Sequence, residues 1–124
     1  MSAAMRVNEA DLLAQIQLAC SRGDTRLFRF NAGIAWAGKI MERTPRKLVL
    51  LDYHPVKLGP TGISDLIGWS SGGIFTAIET KVGRRQATDE QVAFLRLVLA
   101  AGGRAGIARS IEDAVAILAS TPQS

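Results

Sequence analysis

Two apolar runs, one from Asp65 to Trp69 and one from Ile74 to Thr80, are separated by the four residues SSGG. Runs this short and this continuous predict strands covered on both faces, and a glycine-bearing turn of that length predicts that they pair with each other. Such a hairpin needs further elements over each face, so it sets the centre of the fold. The first run opens on Asp65 and the second closes on Glu79, Thr80 and Lys81. Antiparallel pairing brings the start of one beside the end of the other and sets two carboxylates at one edge of the sheet. Lys81 shares the face of Glu79 by the two-residue period of a strand, and Thr80 points the other way.

The remaining pattern surrounds this centre with helices and further strands. Asn8 caps a helix whose apolar positions Leu12, Leu13, Ile16, Ala19 and Cys20 fall near one face, and SRGD ends it. RLFRF, from Arg26 to Phe30, is a short strand. The segments from Ala35 to Met41 and from Leu48 to Tyr53 flank ERTPR as a second hairpin, and HPVKLGPTG is an irregular loop rich in Pro and Gly. Thr88 opens a helix with Val92, Leu95, Leu99 and Phe94 on its apolar side and Gly102 or Gly103 as its stop. Ala105 to Ala108 forms a short buried strand. Ser110 opens the last helix, with Asp113 at the capping-box position. The order is helix, three or more strands, helix, strand, helix, within one domain of 124 residues.

Composition narrows the function classes. No apolar stretch reaches the length of a membrane span and the N-terminal residues lack an apolar signal core, so neither membrane nor export is expected. The single cysteine, Cys20, forms no internal disulfide and fits a buried thiol in a reducing cytoplasm. Fifteen Lys and Arg against eleven Asp and Glu give a net charge of +4, with arginines spread from Arg22 to Arg109. Guanidinium groups hold phosphate oxygens bidentately, so an anionic polymer suits this surface.

Two like charges set side by side are destabilising until something neutralises them. A divalent cation with a preference for hard oxygen ligands does so, and the Thr80 carbonyl offers a further oxygen. An ammonium at Lys81 then stabilises charge on a phosphate or holds a water, a set suited to metal-assisted phosphodiester hydrolysis. A surface salt bridge from Lys81 to Glu79 or Asp65 accounts for the same spacing. Gln91 stands three residues after Thr88, where a capping box places Glu or Gln. Arg84 and Arg85, in the loop past Lys81, suit either phosphate contact or a solvated surface.

Asp, a strand-length gap and Glu-X-Lys form the signature of PD-(D/E)XK nucleases. The wider run resembles the VRR-NUC branch, especially its small stand-alone phage and prophage members. The matching pieces are RLFRFNAGIAWAGK, LGPTGISDLIGW, FTAIETKVGRRQATDEQVAFL and AGGRAGIARSIEDAVAIL, which together cover nearly the whole chain. The resemblance implies a single VRR-NUC-like domain over residues 1–124 with an α/β, restriction-endonuclease-like core, a small mixed β-sheet flanked by helices. It implies Asp65 and Glu79 as ligands of Mg2+ or Mn2+, Lys81 as the catalytic lysine, and Gln91 as the glutamine bordering the site. The implied activity is metal-dependent endonucleolytic cleavage of DNA, selective for branched structures in the manner of Holliday-junction resolvases. A homodimer is the natural way for so small a domain to present two sites.

Three departures bear on that expectation. Ser64-Asp65 stands where the family has Pro-Asp. Many relatives carry a glutamate on the first helix before an Ile-Gln-like pair, and this chain has Gln15 there; either Glu9 or Asp11 takes that task, or the site lacks one charged ligand. The last case leaves a catalytically weak or inactive DNA-binding protein as the alternative. Relatives also show two asparagines after the first strand, where this chain has Phe30 and Asn31; Asn31 holds a turn or touches DNA. His54 has no second histidine or cysteine beside it for zinc and is expected in a loop. Trp36 and Trp69 are of a kind to stack on bases, with Trp69 expected in the core.

Overall fold

The computed structural model describes residues 8–30 and 33–123. The described residues divide into two compact units, a body within residues 8–30 and 61–123 and a hairpin unit within residues 33–60.

The body begins with α1 (Glu9–Cys20), whose N-cap Asn8 accepts from the Asp11 N–H at 2.8 Å. This satisfies one of the donors that a helix start leaves open. β1 (Arg26–Arg29) follows, and across the hairpin unit come β4 (Leu66–Ser70) and β5 (Ile74–Thr80). After α2 (Asp89–Ala100), β6 (Arg104–Ala108) and α3 (Ile111–Leu118) close the chain. The sheet order is β1-β4-β5-β6, with β1, β4 and β5 antiparallel in turn and β6 parallel to β5. It is a small mixed sheet flanked by helices, and the β4–β5 hairpin lies at its centre as the two apolar runs predict.

The two faces are covered unequally. On one, Leu12, Leu13, Ile16 and Cys20 of α1 and Ala114 of α3 pack with Leu27, Leu66, Ile78 and Ala108 in the larger core. On the other, Leu95 and Val98 of α2 pack over Ala77, with Phe94, Ile67, Ala105 and Ile107 around them. The buried positions on α2 are thus Leu95 and Val98, while Val92 and Leu99 are only half-buried. α2 packs on β5 and β6, and Trp69 on β4 remains 44% exposed. The expectation that Trp69 lies in the core is therefore corrected: one short helix spans about 10 Å and cannot roof four strands set nearly 5 Å apart.

Gly62 fixes the approach to the site. Its φ is +85°, and a Cβ there would run into the Glu90 carbonyl at the start of α2. Only glycine allows both the left-handed backbone and this close approach, which seats the turn before Asp65 against the helix that carries Gln91.

The hairpin unit holds β2 (Ile34–Thr44) and β3 (Lys47–Lys57), paired antiparallel through a turn at Pro45 and Arg46. Both strands are longer than the apolar pattern predicts. His54 lies within β3 opposite Ala37, not in a loop, and Pro55 pairs with Trp36. Proline is tolerated here because each strand of a two-stranded ribbon has an open edge where a missing N–H costs nothing. Irregularities between Ala37 and Lys39 and between Ile40 and Glu42 bend the ribbon, and Asp52 adopts a left-handed φ of 52° beside them.

Candidate functional site

Pairing of Leu66 with Ile78 places Asp65 just beyond the first rung of the ladder and beside Glu79. Because β5 is an interior strand, this point is the end of the sheet rather than an outer strand. The Asp65 carbonyl accepts from the Phe30 N–H at 2.8 Å, which ties its backbone to β1. Its carboxylate is held by Thr80: the N–H and the hydroxyl of that residue both donate to Asp65 Oδ2, at 3.0 and 2.8 Å. Two charge-assisted bonds on one oxygen fix the rotamer and leave Oδ1 as the oxygen that can face a ligand. The hydroxyl of Thr80 is thus an anchor for Asp65, a task its position on the opposite strand face did not suggest.

Glu79 is 1% exposed. Its Oε2 accepts from Gln91 Nε2 at 3.0 Å and lies 3.6 Å from Lys81 Nζ, itself nearly buried. Its Oε1 is buried without a hydrogen-bond partner. Burial above all, and then the charge of Asp65, push the Glu79 carboxyl up to about 8 from an ordinary 4.5, against the opposing pull of Lys81. One ammonium does not neutralise this pair of acids.

A third acid completes the group. One carboxylate oxygen from each of Glu9, Asp65 and Glu79 lies within 4.8 Å of the other two. Glu9 is the first residue of α1, and Arg85 reaches it from the loop after β5 at 3.4 Å. Of the choices left open by Gln15, Glu9 is the residue brought to the acids. Gln15 lines a different surface groove with Leu12, Val82 and Arg109. No local pattern marks Glu9, whose only signal is its place in the first turn of a helix.

Gln91 performs two tasks. Its Oε1 accepts from the Thr88 N–H at 2.9 Å while Thr88 Oγ1 accepts from the Gln91 N–H at 3.2 Å, a complete capping box. Its amide group meanwhile holds Glu79. The loop after β5 is braced by Arg109, whose guanidinium donates to the Gly83 carbonyl at 2.9 Å, and it carries Arg84 and Arg85 exposed to solvent. Asn31 lies outside the described residues.

Whether these groups suit a divalent cation is decided by their chemistry. The donor set is all oxygen, three of its members are carboxylates, and an unpartnered carboxylate oxygen buried beside two more acids is costly without a cation. The residues fit. Compared with family models, curated proteins and solved structures, the chain matches none of them. Among the described residues, no helix is long and apolar enough to cross a membrane.

Proposed function

We propose that the chain is a metal-dependent DNA endonuclease with a restriction-endonuclease-like core of the VRR-NUC type. The observation that carries this is the buried, unpartnered Oε1 of Glu79 within a cluster of three acids that also includes Asp65 and Glu9, with Lys81 and Gln91 at its border. Glu9, Asp65 and Glu79, with the Thr80 carbonyl, would hold Mg2+ or Mn2+. The ion supplies polarisation of a phosphoryl oxygen and a lowered pKa for an attacking water.

The protein's own groups do the rest. Thr80 and Gln91 hold Asp65 and Glu79 in single orientations, so the oxygens that meet the substrate are set in advance. Lys81 brings a nearly buried ammonium to the same point, where low dielectric strengthens its attraction for a phosphate. Arg84 and Arg85 lie exposed on the next loop for backbone contact, with Asn31 as a further contact on the DNA. The net charge of +4 favours a polyanion, and no base-reading module accompanies it. Included in the proposal is structure-guided cutting of branched DNA by a homodimer with two sites, in the cytoplasm. The nearness of Glu9 to Asp65 and Glu79 favours this reading over the alternative of a catalytically weak or inactive DNA-binding protein, which Gln15 prompts.

Purified protein with Mg2+ or Mn2+ on linear, flapped and four-way-junction DNA is the test. Cleavage lost in Glu79→Ala and in Lys81→Ala supports the proposal. Binding without cleavage by the wild-type chain leaves the inactive protein standing, and absence of binding sinks both.

A further inference from the structure

The chain has four Phe, two Trp and one Tyr, and none of the seven lies in the buried core. The buried apolar set is Leu, Ile, Val, Ala and Cys throughout, although large rings ordinarily dominate protein interiors. Three of the rings fall side by side on the α2 face of the body's sheet. Trp69 on β4 pairs directly with Phe75 on β5, and Phe28 on β1 stands with its ring centre 5.7 Å from that of Trp69. Phe28, Trp69 and Phe75 are 54, 44 and 48% exposed, whereas Ala77, two places along the same face, is buried under Leu95 and Val98. Phe75 also borders a groove of about 420 Å³ that includes Phe94 and Leu97.

Two further facts say what would cover this face. Phe30, two residues beyond Phe28 by the same strand alternation, is 39% exposed and donates its N–H to the Asp65 carbonyl at 2.8 Å, so exposed rings run along β1 up to the acidic cluster. The strand face of the rings also carries positive charge: Arg26 stands two places before Phe28 on β1 and opposite Trp69, and no acid occurs in β1, in β4 or in β5 before Glu79.

We infer that Phe28, Trp69 and Phe75 form a stacking platform for the unpaired bases of a single-stranded DNA arm whose backbone leads into the Asp65–Glu79 cluster. This rests on the nuclease proposal and names the substrate feature that the same site selects. Every base has a π-face, so a row of rings accepts any sequence while Arg26 beside the rings and Arg84 and Arg85 beside the acids hold the phosphates. A purely duplex substrate keeps its bases stacked on each other and gives the rings nothing to hold.

The test measures binding of a fluorescent oligothymidylate and of a duplex of equal length to the full chain without divalent metal, so that nothing is cut. Phe28→Ala, Trp69→Ala and Phe75→Ala each weaken oligothymidylate binding about tenfold, more than they weaken duplex binding. Val115→Ala, at a comparably exposed position on α3, changes neither. In a Trp36→Phe background, oligothymidylate also quenches the emission of Trp69. Unchanged oligothymidylate affinity in all three ring variants overturns the inference, as does a wild-type dimer that these variants convert to monomers, which makes the face a self-association surface. If a separate assay with Mn2+ shows cleavage while the ring variants bind oligothymidylate normally, this inference alone falls. If neither DNA binds, the nuclease proposal falls with it.

Discussion

Gln91 Nε2 donates to Glu79 Oε2 at 3.0 Å, while Oε1 of the same side chain accepts from the Thr88 N–H at 2.9 Å. One residue therefore starts α2 and orients a buried acid, and the two tasks separate by substitution. Gln91→Ala removes both and costs about 1 kcal/mol of stability through the cap, with cleavage falling roughly 10- to 100-fold. Gln91→Glu keeps an acceptor for Thr88 but cannot donate to Glu79 and adds a like charge there. Urea denaturation should show its helix cap retained more fully than in Gln91→Ala, while cleavage falls as far. Equal activity in wild type and Gln91→Glu would show that the bond to Glu79 is incidental.

The pH dependence of stability follows from Glu79. Its folded-state carboxyl is raised from an ordinary 4.5 to about 8, so between those values the folded protein binds a proton that the unfolded chain has released. Stability from this group is therefore fully present below about 4.5 and is lost as pH rises through about 8. Denaturation in EDTA across that window should show the wild type losing stability relative to Glu79→Gln. Mn2+ binds the ionised form, so its affinity should climb over the same window with release of a proton. Parallel stability curves for the two proteins would contradict the assignment.

Glu9 and Gln15 are distinguished by metal binding. Glu9→Ala should weaken Mn2+ binding about tenfold or more, because carboxylate count sets the affinity of an oxygen site, and Gln15→Ala should leave it unchanged. The Glu9–Arg85 pair is partly solvated, so Glu9→Ala should cost no more than about 1 kcal/mol of stability. Calorimetric titration with Mn2+ beside thermal melting reads both quantities.

Thr80→Val keeps the shape of the side chain and deletes the 2.8 Å bond to Asp65. A hydrogen bond to a charged group contributes roughly 1.5–3 kcal/mol, and the variant should lose about that much while Thr80→Ser recovers most of it. Cleavage should follow the same order, since a loosened Asp65 no longer presents one oxygen orientation. Full activity in Thr80→Val would show that the backbone N–H alone holds the carboxylate.

Ser64 immediately precedes Asp65, and its hydroxyl is buried without a hydrogen-bond partner. Ser64→Ala removes that polar atom and should raise stability by about 1 kcal/mol in chemical denaturation. A loss of stability would show that the hydroxyl has a partner in solution.

Much of this protein was legible along the chain. Short apolar runs around SSGG, with acids at their outer ends, determined the central hairpin and the meeting of Asp65 with Glu79, because strand pairing is a local consequence of a short turn. Asn8, Thr88 and Ser110 announced the three helix starts, since capping is a contact over three residues. The tertiary structure alone decided the rest. It brought Glu9 to the acids by packing α1 across the sheet, turned the Thr80 hydroxyl onto Asp65, and gave Gln91 its second partner. It also left Trp69 44% exposed by placing α2 mainly over β5 and β6. Periodicity and capping report which neighbours a residue has along its own element. Which acid approaches another across the fold, and which ring stays uncovered, depends on how whole elements stack, and that is set by the shared core rather than by any short stretch.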